Sequence, residues 1–136
     1  MTFRPIRKWL WLAGAAVVAL ATPARAEDVS TPCFYCDLPL KAAEADAAFR
    51  DRVTKAFPRG EKVDDVKAAL KAQRFVEDFW HSRRMVFRYD NTYGRSTSCS
   101  VIARVDWTDD GAGAVETLEA HYLQTVDCAG YTLPRP

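Results

Sequence analysis

The chain predicts an α+β two-layer sandwich, with two N-terminal helices packed on a three-stranded antiparallel sheet that a further run could extend to four. Three observations predict it. In Ser98–Trp107, residues Cys99, Val101, Ala103, Val105 and Trp107 alternate with Ser98, Ser100, Arg104 and Asp106, the period of a strand with one dry and one wet face. Thr108-Asp109-Asp110-Gly111-Ala112-Gly113 then supplies turn residues before a second strand-like run, Val115–Val126. Upstream, two stretches carry apolar residues at helical spacing.

The first helix is expected over Leu38–Phe57, where Ala42, Ala45, Phe49, Val53 and Phe57 share one face. Asp37 and Pro39 are start signals, and Pro58 with Gly60 ends it. Asp46/Arg50 and Asp51/Lys55 sit one turn apart, acid first, the favourable order. A shorter helix is expected from Val63 to Gln73, with Val66 and Leu70 on its apolar stripe and Glu61, Asp64 and Asp65 at its positive end. Phe75–Ser82 reads either as a loop carrying Phe79 and Trp80 onto the core or as an extra strand. Met85–Asp90 is the first clear strand, closed by the turn Asp90–Gly94. Leu118, Ala120 and Tyr122 give the last strand its dry stripe, opposite Glu119 and His121.

The N-terminus reads as an address. Arg4, Arg7 and Lys8 precede the apolar run Trp9–Ala21, and Ala24-Arg25-Ala26 has the form of a signal-peptide cleavage site. That run falls short of the ~20 residues of a spanning helix, so no membrane span is expected after cleavage at Ala26. The expected division is a signal over 1–26, a leader over 27–37, a single domain over 38–128 and a tail over 129–136. Cleavage removes four of the nineteen basic residues and none of the eighteen acidic ones, leaving a net charge of −3. A mildly acidic surface argues against nucleic-acid binding. The remaining 110 residues are enough for one buried core.

Four cysteines in an exported chain point to disulfides. Cys33–Cys36 with Cys99–Cys128 is the most economical of three connectivities. A ~30-residue loop would be worth roughly 3.5 kcal/mol, against roughly 2 for a four-residue one. In a simple hairpin register Cys99 falls opposite Leu123 and Gln124, so Cys128 must curl back, and Gly130 tolerates the bend. Cys33-Phe34-Tyr35-Cys36 is also the sharpest chemical motif. It reads first as a structural disulfide, with a thiol–disulfide redox site or a metal ligand as alternatives. A helix N-terminus just after it would stabilise a thiolate, yet no β-α-β unit precedes it.

No cofactor or metal is expected. His81 and His121 have no spacing for joint ligation, and Cys99 and Cys128 are too far apart in sequence to form a second close pair. Ser96, Ser98 and Ser100 lack a nucleophile-elbow pattern, so no catalytic residue is assigned. Asp64-Asp65, Glu77-Asp78 and Asp109-Asp110 are adjacent acids that suit a helix start, a solvated face and a turn. The candidate partner-binding surface is a basic, aromatic strip, Arg83, Arg84, Arg88, Tyr93 and Arg95, with Tyr89 beside it. The bland alternative is that its arginines solvate the outer face while Phe87 and Tyr89 pack inward.

The order helix, helix, sheet, with Phe57-Pro58-Arg59-Gly60, Asp65-Val66 opening the second helix and the hairpin, resembles the small exported proteins of the BamE/SmpA and beta-lactamase-inhibitor-protein type over residues 38–126. The resemblance implies a protein-binding scaffold of the cell envelope without catalysis. The chain departs from that pattern in lacking a lipid-anchor signal and in adding the Cys-x-x-Cys element. The expected function is thus a non-enzymatic periplasmic or envelope interaction module whose partner is another envelope protein. A redox protein using Cys33 and Cys36, or an inhibitor of an envelope enzyme, is the alternative.

Overall fold

A computed structural model describes residues 32–91, 99–125, 128 and 132–136. The expected signal segment and leader up to Thr31, most of the expected Asp90–Gly94 turn, Tyr93, Arg95, Ser96, Ser98, Val126 and Gly130 lie outside the described residues. Two helices, α1 (Ala42–Ala56) and α2 (Val63–Ala72), precede four strands: β1 (Val76–Asp78), β2 (His81–Asn91), β3 (Cys99–Asp109) and β4 (Val115–Gln124). The strands form one antiparallel sheet in the order β1-β2-β3-β4, and α1 packs on β4. This is the expected α+β sandwich, with the fourth strand supplied by Phe75–Ser82.

The dry face is the one the alternation predicts. Cys99, Val101, Ala103, Val105 and Trp107 of β3 are buried, in one cluster with Met85, Phe87, Ala120, Tyr122, Phe49, Val53, Val66 and Leu70. Leu118 and Tyr89 pack against its rim. Phe34 and Tyr35, the two residues between Cys33 and Cys36, belong to the same core: both are essentially inaccessible, and Tyr35 stacks on Phe87 with ring centroids 4.1 Å apart.

The first helix starts at Ala42, later than the sequence suggests. The backbone before it is committed elsewhere. Arg52 donates from Nη1 to the carbonyls of Cys33, Phe34 and Cys36, and from Nη2 to that of Asp37, while Gln124 holds the Leu40 carbonyl. Of these, the Asp37 and Leu40 carbonyls are the ones a helix begun at Leu38 would use, and their side-chain donors compete with its ladder.

The second helix ends at Ala72 in a Schellman turn. The Phe75 N–H reaches the Leu70 carbonyl and the Arg74 N–H reaches Lys71, with Arg74 in the left-handed region at φ 66°. Gln73, beside it, is 2 % exposed and ties the segment around Pro32 and Phe34 to this turn. Its Oε1 accepts the Phe34 N–H at 2.7 Å, and its Nε2 donates to the Pro32 carbonyl.

At the β3–β4 turn, Asp110 accepts the N–H groups of Ala112 and Ala114, and Gly111 takes φ +79°. Val101, not Cys99, meets the end of β4 at Gln124; a bulge opposite Thr108–Asp109, with Glu116 the extra residue, supplies one position of that shift. Cys99 lies beyond that end, and Cys128 reaches it from the segment after Thr125, whose N–H bonds the Ser100 carbonyl. The segment Gly60–Val63 pairs with Gly113–Val115 and fixes α2 to this hairpin.

The free edge of β4 is closed by α1. Asp46 Oδ1 accepts the Tyr122 N–H at 2.7 Å, and Arg50 Nε donates to the Ala120 carbonyl at 3.4 Å. Arg50 and Asp46 also pair with each other at 2.5 Å. One turn of helix thus occupies backbone groups that would otherwise template another strand.

Candidate partner-binding surface

Four positions of the predicted strip and its neighbourhood resolve into different roles. Arg84 Nε pairs with Asp106 Oδ1 across the β2–β3 ladder at 2.5 Å, and its Nη1 lies 3.7 Å from Asp78. Arg104 approaches the other oxygen of Asp106 at 2.8 Å. Val86, which Arg104 faces across the ladder, is only 4 % exposed although it projects from the wet face. Arg83 pairs with Asp109 at 2.8 Å. Arg88 is exposed and has no ion-pair partner among the described residues. Tyr93 and Arg95 fall outside the described residues. Much of the strip's positive charge is therefore matched within the sheet.

The larger anomaly is one that the strip did not include. Phe79 and Trp80 form the tip of the β1–β2 hairpin, 87 % and 82 % exposed, where the sequence left open that they reach the core. They do not. Asp78 Oδ1 accepts the Trp80 N–H at 2.9 Å, an Asx turn that fixes the tip and leaves both rings outside. That hydrogen bond, with His81 and Arg84 nearby, holds the Asp78 carboxyl below its ordinary range. The two rings meet edge to face with centroids 4.8 Å apart, and Val76 beside them is also exposed. Behind the tip, Lys71 and Lys67 hold Glu77 at 2.8 and 3.7 Å, and the Lys71 hydrogen bond depresses the Glu77 pKa. The signal that could have located the tip is the spacing of Asp78 before two aromatics, followed by a strand.

Both predicted disulfides are present, Cys33–Cys36 and Cys99–Cys128. Together they line a recess of about 310 Å³ with Leu38, Tyr122, Gln124 and Leu133. The C-terminal residues close over it: Tyr35 donates its hydroxyl to the Pro134 carbonyl, and Arg135 pairs with Asp37 at 3.2 Å. Because α1 begins at Ala42, neither cysteine of the Cys-x-x-Cys motif occupies its first turn, and the thiolate stabilisation expected from that helix has no geometric basis. His81 and His121 sit on different strands, each beside an acid, and among the described residues no His, Cys, Asp and Glu side chains form a metal-binding group. Among those residues, too, no helix is long and apolar enough to cross a membrane.

No protein-family model, curated protein or solved structure matches the chain.

Proposed function

We propose that this chain is a non-enzymatic interaction module of the bacterial-type envelope, exported through residues 1–26, and that it docks another envelope protein through the β1–β2 tip and the adjoining face of β2. The observation that carries this reading is the exposure of Phe79 and Trp80 on a turn locked by Asp78. Removing an exposed aromatic side chain from water is worth roughly 2–3 kcal/mol apiece, and aromatic anchors of this kind dominate interface energetics. The folded chain forgoes that gain, which a partner's pocket would recover. The disulfides suit an oxidising compartment. The anchoring of Phe34 and Tyr35 in the core favours Cys33–Cys36 as a clamp over a redox pair. Inhibition of an envelope enzyme would use the same surface.

The test places a photoreactive side chain at position 80 in the exported protein and compares its cross-links with those of Phe79→Ala. The reading expects one discrete protein adduct, and about thirtyfold weaker binding of that protein by Phe79→Ala and Trp80→Ala. Arg84→Glu is a poor probe, because it also breaks the Asp106 pair. Equal binding by the alanine variants, or no adduct, overturns the reading.

A further inference from the structure

The two long edges of the sheet are treated differently by the rest of the fold. On β4 the outward Ala120 carbonyl and Tyr122 N–H are taken by Arg50 and Asp46. On the other side, β1 covers β2 only as far as Val86, through the pairing Val76–Val86. Beyond it, among the described residues, residues 87–91 pair with β3 alone.

Strand alternation identifies the exposed groups. The Ser100 C=O accepts the Thr125 N–H and its N–H donates to the Thr125 hydroxyl, so both groups point toward β4. Those of Cys99, Val101 and Ala103 point toward β2 and meet Asn91, Tyr89 and Phe87. Arg88 and Asp90 therefore turn their N–H and C=O groups outward, in step with Val86, where no strand among the described residues covers them. Their side chains, on the wet face, are exposed and lack ion-pair partners among the described residues. Open backbone and unmatched charge coincide on the same two residues.

Their order selects an occupant. A two-fold axis through Tyr89 sets Arg88 opposite Asp90 of a second copy, and Asp90 opposite that copy's Arg88, with Phe87 facing Asn91. Each residue with outward backbone groups then meets another across a hydrogen-bonded pair, and both lateral contacts join opposite charges. We propose that β2 pairs antiparallel with β2 of a second copy, centred on Tyr89, joining β4-β3-β2 of both copies into one sheet six strands across. This inference is independent of the aromatic tip.

Sedimentation equilibrium of the exported chain over a concentration series tests it. The expected result is a reversible monomer–dimer equilibrium. Arg88→Asp and Asp90→Arg each oppose like charges twice per dimer and weaken association about tenfold or more. The double variant Arg88→Asp/Asp90→Arg restores complementarity and brings the dimer back, while Phe79→Ala/Trp80→Ala keeps it. Circular dichroism verifies folding of each variant. A monomer at every concentration overturns the proposal. So does a dimer indifferent to both single reversals, a double variant that fails to recover, or loss of the dimer in the aromatic variant.

Discussion

Asp46, in the middle of α1, accepts the backbone N–H of Tyr122 in β4 at 2.7 Å, joining the two layers by a hydrogen bond as well as by apolar packing. The same carboxylate holds Arg50, which reaches the Ala120 carbonyl. Asp46→Ala leaves a part-buried strand N–H without its acceptor and costs about 1–3 kcal/mol. Asp51→Ala removes only the exposed Asp51–Lys55 pair and costs less than about 0.5 kcal/mol. Urea unfolding midpoints of the two variants distinguish these outcomes.

Arg74 takes the left-handed conformation that closes α2, a position where glycine is ordinarily favoured. Because both Schellman hydrogen bonds are made by backbone, Arg74→Gly retains them and relieves the Cβ penalty. The expected change is a gain of roughly 0.5–1 kcal/mol, read as a higher thermal midpoint, with Arg74→Ala giving no such gain.

The disulfides differ in what they restrain. Cys99–Cys128 closes a segment 29 positions long, whereas Cys33–Cys36 closes one of three. Replacing both cysteines of the longer bridge by serine is expected to cost about 3.5 kcal/mol, against about 2 for the shorter. Denaturant titration of the two double variants checks the order. A larger loss from the shorter loop would mean that it organises Phe34 and Tyr35 beyond its chain-entropy effect.

Burial pushes the Tyr122 phenol up to about 12 from its ordinary 10.0. The unfolded chain ionises first, so the stability linked to this group is complete below pH 10 and is lost as the pH rises through 12. Tyr35 moves in the same direction by burial, opposed by Arg74. Stability measured across this alkaline range is expected to fall, and Tyr122→Phe is expected to fall less steeply. An unchanged slope in that variant would remove Tyr122 from the linkage.

Periodicity made the architecture readable in advance because the wet and dry faces of β3 and the stripes of both helices are repeated over many residues. Single tertiary bonds escaped it. The start of α1 depends on the Asp37 and Leu40 carbonyls being held by Arg52 and Gln124, and the β4 register shifts by one at Glu116, the extra residue opposite Thr108–Asp109. Neither leaves a periodic trace. The basic strip was legible as composition, but the pairing of Arg83 and Arg84 with Asp109 and Asp106 required the register. The exposure of Phe79 and Trp80 was hidden because an Asx turn, set by the one side chain of Asp78, decides which way two aromatics point.

The Cys99–Cys128 bridge lies at the Asn91 end of β2, and the Phe79–Trp80 turn lies at the His81 end, eleven residues away along the strand. The C-terminal residues are fastened at the bridged pole through Pro134 and Arg135. A fusion or surface tether added after Pro136 therefore leaves from the cross-linked base and presents the aromatic apex to solution, a ready-made orientation for immobilising the protein as bait.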